Sequence, residues 1–407
     1  MSAPGESDLD DVYSPHGAMA DAQLQGRTLA VGGRLLREGA RVRLTDAFDA
    51  LEVELVDGAS VSHASLVVLR GALSGRKLVA ARVLREQRAA AAPSEHERLF
   101  ELGLGRRLQV RARVLAEVRQ FFTREGFIEV DTPLRSAECG TETHVEPLSC
   151  SGGYLITSPE LHMKRLLVGG VPKLFQLAHC FRAGELGPLH SPEFTMLEWY
   201  RAFTGWHAML RDTEQLLFSL CRSVCGGSAV TLPGGRRVDM TPPFERISVR
   251  EAFARFAGVS DASGLAEHDE DEYFQRLVDD VEPALALYEK PVFLYDYPRS
   301  QAALARLAPG DQSVAERFEL YLGGIELCNG YGELNDPDVQ RARCELDRQR
   351  RRALSRHVPE LPERFLTALT QGMPPASGNA LGMDRVIALL CGQTRIDAVR
   401  PFPDDAV

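Results

Sequence analysis

The chain has no C-x-x-C pair among its eight cysteines and no histidine cluster to match them, which excludes a zinc site on that spacing and leaves reduced thiols. It also lacks any run of 18 apolar residues, so no membrane-spanning helix is expected. The opening segment MSAPGESDLDDVYSPHG has neither the basic start nor the apolar run of a signal peptide, and a cytoplasmic location is expected. Positive charge is not in excess. A net charge of -10 argues against a protein that grips nucleic acid along much of its surface, while leaving room for a local basic patch. Between Arg27 and Gln87 the only aromatic besides His63 is Phe48, so base stacking, worth roughly 1 to 3 kcal/mol per base, has almost nothing to build on there. Internal repeats and low-complexity runs are also missing.

What is present is enough for one large domain and a small one: 407 residues, 44% hydrophobic. Residues 1–24 are polar and acidic with two prolines and read as a flexible tail. Residues 25–88 carry five short strand patterns, RTLAVGGRLL, ARVRLTDAF, ALEVELVDG, SLVVLRGAL and KLVAARVL, which suggest a small OB-like β-barrel. Its arginines are interleaved with acids, so the barrel reads as degenerate, with a packing or partner role, or as keeping a residual RNA contact. Residues 89–95 read as a linker, and 96–407 as the main domain. There, Leu108, Val114, Leu115, Val118, Phe121 and Phe122 recur at helical spacing, and Gly126 ends the helix before the strand FIEV. Helical patterns dominate from Ala202 to Lys290, and the acidic run HDEDEYFQRLVDD reads as a solvated helix face.

The stretch FQLAHCFRAGELGPLHSPEFTMLEWYR, Phe175 to Arg201, is the most telling. Phe175, Leu177 and Phe181, then Phe194, Met196 and Leu197, suggest two paired strands, with Gly184, Gly187 and Pro188 marking the turn. Arg182 sits where the first strand ends. Its planar fork suits a phosphate or carboxylate, and an ordinary strand-end salt bridge is the other reading.

This stretch resembles motif 2 of the class II aminoacyl-tRNA synthetases, in the lysine branch. RVLAEVRQFFTREGFIEVDTPL (Arg113 to Leu134) resembles motif 1, and GNALGMDRVIAL (Gly378 to Leu389) resembles motif 3, with Arg385 as its arginine. Within that branch TSPELHMKRLL, PEFTMLEWYR, AERFELYLGGIELCNGYGEL and SGNALGMDR are most similar to the bacterial family of lysyl-tRNA synthetase paralogues, the elongation factor P (R)-β-lysine ligases. Lysyl-tRNA synthetases differ at Ser158, at Leu197-Glu198-Trp199-Tyr200 and at Ala380, where they carry glycine.

The resemblance implies an α+β fold: a class II catalytic domain with an antiparallel sheet flanked by helices, dimeric through motif 1, behind an OB-like barrel that the shorter ligases usually lack. It implies a two-step reaction in which ATP and a lysine-type amino acid give an adenylate, and the acyl group then passes to an amine. The acceptor it implies is a lysine side chain of elongation factor P. Arg182 would face the α-phosphate and the substrate carboxylate, and Arg385 the γ-phosphate. Gly184, Glu185, His190, Ser191, Glu326, Leu327 and Gly382 would complete the ATP site. Glu319 and Glu326, across FELYLGGIE with a turn at Gly323-Gly324, would hold Mg2+, which prefers one or two carboxylates with phosphate oxygens and water; exposed strand-edge charge is the plainer reading of the pair.

An amino acid with two ammonium groups calls for carboxylates. The resemblance gives Glu333 and the Tyr200 hydroxyl to the terminal ammonium, Glu160 to the other amine, Asn329 to the carboxylate region and Tyr331 to the methylene chain, with Ser158 and Glu198 nearby. Ala380 would shape the pocket floor and favour (R)-β-lysine over α-lysine by about 1 to 3 kcal/mol at most. Two departures stand out. Gly184 replaces the glutamate found two residues after the motif 2 arginine, with Glu185 one step later, and Ser191 replaces an asparagine. The alternatives are a lysyl-tRNA synthetase, with tRNA as acceptor, and a non-catalytic paralogue that binds lysine or an adenylate.

Overall fold

The structure is a computed structural model that describes residues 12–56, 60–90, 92 and 94–403. It divides into two compact units, Met1–Gln109 and Val110–Val407. In the first, β1 (Thr28–Glu38), β2 (Arg41–Thr45), β3 (Ala50–Leu55), β4 (Leu66–Ser74) and β5 (Lys77–Gln87) pair in the order β1-β2-β3-β5-β4, and β4 returns to β1. The sheet is therefore closed. Only β3 and β5 run parallel within this ring, the connectivity of a five-stranded OB barrel. Alternation along β4 turns Val67, Leu69 and Leu73 inward, where they meet Leu29, Val31, Leu44, Leu51 and Leu78. At Gly71 a Cβ would lie 2.8 Å from the Val79 carbonyl oxygen, so glycine is what lets the two strands cross this closely.

The tail expected through residue 24 is corrected from Val12 onward. Val12–Tyr13 pairs in parallel with β1, and α1 (Pro15–Ala20) follows, capped by the Ser14 hydroxyl accepting from the Gly17 amide. Ala18 and Leu24 are buried in the barrel core. The two prolines and acids that suggested disorder include a proline at the first helical position, where its fixed φ starts a helix. Residues 1–11 lie outside the described residues, as do Ala91 and Pro93 of the expected linker.

The division at Gln109 falls inside α2 (Leu104–Arg124), later than the expected start at residue 96. The helix stops at Arg124, and Gly126 takes the left-handed φ of 75° that turns the chain into β6 (Ile128–Glu129). The main sheet follows: β7 (Lys173–Phe181), β8 (Glu193–Ala202), β9 (Glu245–Ser248), β10 (Val292–Pro298), β11 (Asp311–Leu322), β12 (Ile325–Gly332) and β13 (Ala376–Gly382). These lie in the order β9-β10-β11-β12-β13-β8-β7-β6, antiparallel except for the parallel pairs at the two ends. Flanking helices include α3 (Glu160–Val168), α4 (His207–Cys225), α5 (Pro337–Ala353) and α6 (Met383–Leu390). The acidic run is helical, as expected, but Tyr273 and Leu277 on one side of it are buried, as is Val281 just beyond it, with Tyr273 stacked 4.7 Å from Phe253.

One face of the sheet makes the core. Phe175, Leu197, Trp199, Phe318, Leu320, Cys328 and Leu381 point to it and pack against Val114, Val118 and Phe122 of α2, with Phe122 stacked 4.8 Å from Phe175. A strand has period two, so the residues between these are committed to the opposite face.

Candidate active site

On that opposite face the register lines up one row across five strands: Gln176 (β7), Glu198 (β8), Ala380 (β13), Asn329 (β12) and Glu319 (β11). The next row holds Tyr200, Gly378, Tyr331 and Arg317. A Cβ on Gly378 would fall 2.3 Å from the Tyr200 ring and 2.6 Å from Glu333 Oε1, so glycine is what allows that ring and that carboxylate to meet.

The hairpin of β11 and β12 turns at Gly323-Gly324, both at positive φ, as the sequence suggested. Tyr321 pairs with Glu326, but Leu320 pairs with Cys328, so Leu327 is an extra residue, a bulge. Without it Glu326 and Asn329, three apart, would point to opposite faces. With it both share the face of Glu319.

A cavity of about 330 Å³ opens on this face. Its cationic end is built from loop and helix. Arg182 follows β7, donates from Nε to the Thr157 carbonyl at 3.4 Å, and lies 5.1 Å over the Phe194 ring. Arg385, in the first turn of α6, donates to the carbonyls of Leu189 (3.2 Å) and Glu326 (2.7 Å) and to His190 Nε2 at 2.8 Å. Burial, then the Arg385 charge, holds His190 below its usual range, so the neutral ring can accept. The start of α6 is fixed by Asp384, which accepts from the Thr195 amide at 2.7 Å and from Arg111 at 2.5 Å.

At the other end the carboxylates of Glu160, Glu198 and Glu333 converge. The Tyr200 hydroxyl donates to Glu198 at 3.0 Å. Burial, then the Glu160 charge, raises Glu198 well above the carboxylate range. Burial likewise pushes Glu333 up to about 7, with Lys164 opposing and Glu160 adding to the rise. Lys164 is fully buried, its Nζ 2.5 Å from Glu160 Oε1 and 2.5 Å from Glu333 Oε2. Glu333 Oε1 and Asn329 Oδ1 are buried without a hydrogen-bond partner, two acceptors awaiting a donor.

Of the residues singled out from the sequence, Arg182, Glu185, His190, Ser191, Glu326, Leu327, Gly382, Arg385, Ser158, Glu160, Glu198, Tyr200, Asn329, Tyr331, Glu333 and Ala380 all line this cavity. Gly184 does not line it. It supplies the left-handed turn, φ 78°, that brings the Glu185 carboxylate within 3.7 Å of Arg182. The Ser191 hydroxyl accepts from Arg400 at 2.5 Å. Glu319 also lies off the cavity wall, with both oxygens engaged: Tyr297 (2.5 Å) and Tyr321 (2.8 Å) donate to one, Arg317 (2.6 Å) and Asn329 (3.2 Å) to the other. These are the donors that meet Glu319, the residue expected to join Glu326 as a metal ligand. Glu326 suits a hard cation, since burial and then the Glu319 charge raise it to about 7 against the opposing arginines, a crowding of negative charge that a cation would relieve. Glu319 orients Asn329. Among the described residues no three His, Cys, Asp or Glu side chains converge as a metal cluster.

Sequence reasoning missed Lys164, Asp384, Arg111 and Glu142, which joins the cavity wall. Only Lys164 carried a signal, four residues after Glu160 and so on the same side of one helix.

A class II synthetase catalytic domain is what this sheet and this two-ended cavity define, and the model of the class II tRNA synthetases (D, K and N) matches residues 95–406. The elongation factor P (R)-β-lysine ligase of Proteus mirabilis is 40% identical over 310 aligned positions, 72% of this chain and 93% of that protein. Those of Haemophilus influenzae (strain PittGG) and Klebsiella pneumoniae (strain 342) are 38% and 40% identical, each over 72% of this chain and 94% of the relative. The chain belongs to the elongation factor P (R)-β-lysine ligase family, a branch of the class II synthetases, and is an enzyme of the amino acid ligase type. More than a quarter of it lies outside each of these alignments, and the family model starts beyond the barrel strands. Among the described residues no helix is long and apolar enough to cross a membrane.

Proposed function

We propose that the chain activates a lysine-type amino acid with ATP, prefers (R)-β-lysine, and transfers the acyl group to a lysine side chain of elongation factor P. The observation that carries this reading is one cavity with guanidinium groups at one end and three carboxylates at the other. Adenylate formation has the substrate carboxylate attack the α-phosphorus and expel pyrophosphate, and charge gathers on the phosphate oxygens at the transition state. Arg182 and Arg385 stabilise it there as preorganised donors. Glu333 with Tyr200, and Glu160, orient the two ammonium groups so that the carboxylate lies toward Arg182. Glu326 would hold Mg2+, with Glu319 behind it through Asn329; bound there, the ion would neutralise phosphate charge. The acceptor amine then attacks the acyl carbon, an amide forms and AMP leaves.

Homodimerisation belongs to the same reading. The edge strand β6 and the segment after it expose Ile128 and Leu134, apolar surface suited to a second copy. The reaction's substrates put it in the cytoplasm. The barrel alone favours lysyl-tRNA synthetase, and its single aromatic among the strands and their turns, Phe48, is partly buried and packs edge-on against His16 at 5.4 Å. Incubation with ATP, each lysine isomer, and either elongation factor P or tRNA, followed by intact mass, tests the choice. A mass gain of one lysyl unit on the protein is expected; charged tRNA with unmodified protein would overturn it.

A further inference from the structure

We propose that Lys164 is a positioning residue for amine recognition, an internal ammonium that ties Glu160 to Glu333 and trims the acid end of the cavity to the charge of a diamine. The proposal rests on the amino acid reading above. Three carboxylates reach this end of the cavity, yet a lysine-type substrate brings only two ammonium groups. Lys164 does not line the cavity. It stands behind the wall, one helical turn from Glu160, with its side chain inaccessible to solvent and its Nζ 2.5 Å from a carboxylate oxygen on either side. With all three ionised, the state that bound ammonium groups favour, three negative charges less one leave two, equal to the charge of the substrate amines.

The bridge has a geometric consequence as well. Glu160 comes from α3 and Glu333 is the residue just after β12, and among the described residues Lys164 joins the two carboxylates by a direct polar contact to each. The spacing between the two amine sites is thereby set by one side chain. The other titratable or charged groups facing this cluster are Glu198 and Tyr200 on β8, Tyr331 on β12, Glu142 and Arg306. Burial alone would strip the proton from Lys164, but the charges of Glu160 and Glu333 outweigh it and raise its pKa, so the ammonium persists across the working range. Removing it leaves three buried carboxylates with no cation in contact, Arg306 acting only from a distance. One of them takes a proton and no longer pairs with an ammonium.

The test is amino-acid-dependent pyrophosphate exchange from acid to alkaline pH, with KM measured separately for amino acid and for ATP. Wild-type exchange with a lysine isomer is the control, and its absence would remove the substrate reading itself. In Lys164→Met the acid limb of kcat/KM for the amino acid should move upward by about one pH unit, with amino acid KM near neutrality raised about tenfold and ATP KM unmoved. Lys164→Arg should hold the limb near its wild-type position. If Lys164→Met does not fold, Lys164→Met/Glu160→Gln, with two carboxylates and no ammonium, carries the test, and its limb should lie where the wild-type limb lies. A folded Lys164→Met with an unmoved limb, an equal loss toward ATP and amino acid, or a double variant whose limb stays displaced upward would each overturn the proposal.

Discussion

The two ends of one cavity solve opposite electrostatic problems by different means. At the cationic end the hydrogen bonds of Arg182 and Arg385 go to neutral acceptors, the carbonyls of Thr157, Leu189 and Glu326 and an uncharged His190, and the carboxylates of Glu185 and Glu326 stand off at 3.7 Å, so much of the positive charge stays available to a ligand. At the acid end, carboxylates crowd until burial and mutual repulsion lift Glu198 and Glu333 out of their normal range, and an internal lysine relieves part of the strain. Carbonyl dipoles fix a cation without cancelling it. Of the buried acids, Glu198 takes the neutral Tyr200 hydroxyl, and Glu160 and Glu333 are held by a countercharge.

The contrast breaks most visibly at the arginines. Arg385→Ala or Arg182→Ala should each lower kcat for adenylate formation by about 10²–10³-fold, the scale for loss of one preorganised donor, with amino acid affinity nearly kept. Single-turnover adenylate formation with separate equilibrium binding of the amino acid measures both. Glu333→Gln should do the reverse, raising amino acid KM by about 10–100-fold, as for a lost charged hydrogen bond of about 1.5–3 kcal/mol, with ATP KM unchanged.

pH sharpens the same comparison. Glu333 keeps its proton in the empty protein to about 7, while in the unfolded chain it ionises at the ordinary carboxylate value. The folded state binds the extra proton, so this group's contribution to stability falls as pH rises between those two values. An ammonium ligand favours the ionised form and offsets that loss. Lysine should therefore raise Tm more at pH 7.5 than at pH 5.5, a difference thermal shift titrations would read, and equal increments would contradict the pairing. The smallest effect belongs to Ala380, which stands in register between Glu198 and Asn329. Ala380→Gly should shift the preference between β- and α-lysine by about 1 kcal/mol, seen as a change in the ratio of their kcat/KM values.

Much of this was legible in residue order. Alternation in Phe175–Arg201 marks two strands whose inward residues build the core, which leaves Glu198 and Tyr200 to the other face. The five barrel strands stood out for the same reason, each with an apolar row and a polar break. Residues 12–24 misled because a proline that begins a helix looks, by composition, like one that prevents it. The surroundings of Glu319 were not legible, because sequence spacing says nothing of four donors arriving from Tyr297, Arg317, Tyr321 and Asn329. Lys164 offered only its spacing of four from Glu160; its role exists only once Glu333, far along the chain, arrives beside it.

The extra residue at Leu327 marks a place on β12 where the strand can lose a residue without turning over. Deleting Leu327 would leave Glu326 and Asn329 two residues apart on a regular strand and so on the same face, whereas deleting Gly330, where the pairing is regular, would turn Tyr331 and the positions after it to the far side of the sheet. The nucleotide half and the amine half would then no longer open into the same space, so a one-codon deletion at Gly330 would disconnect two binding sites that each remained chemically intact.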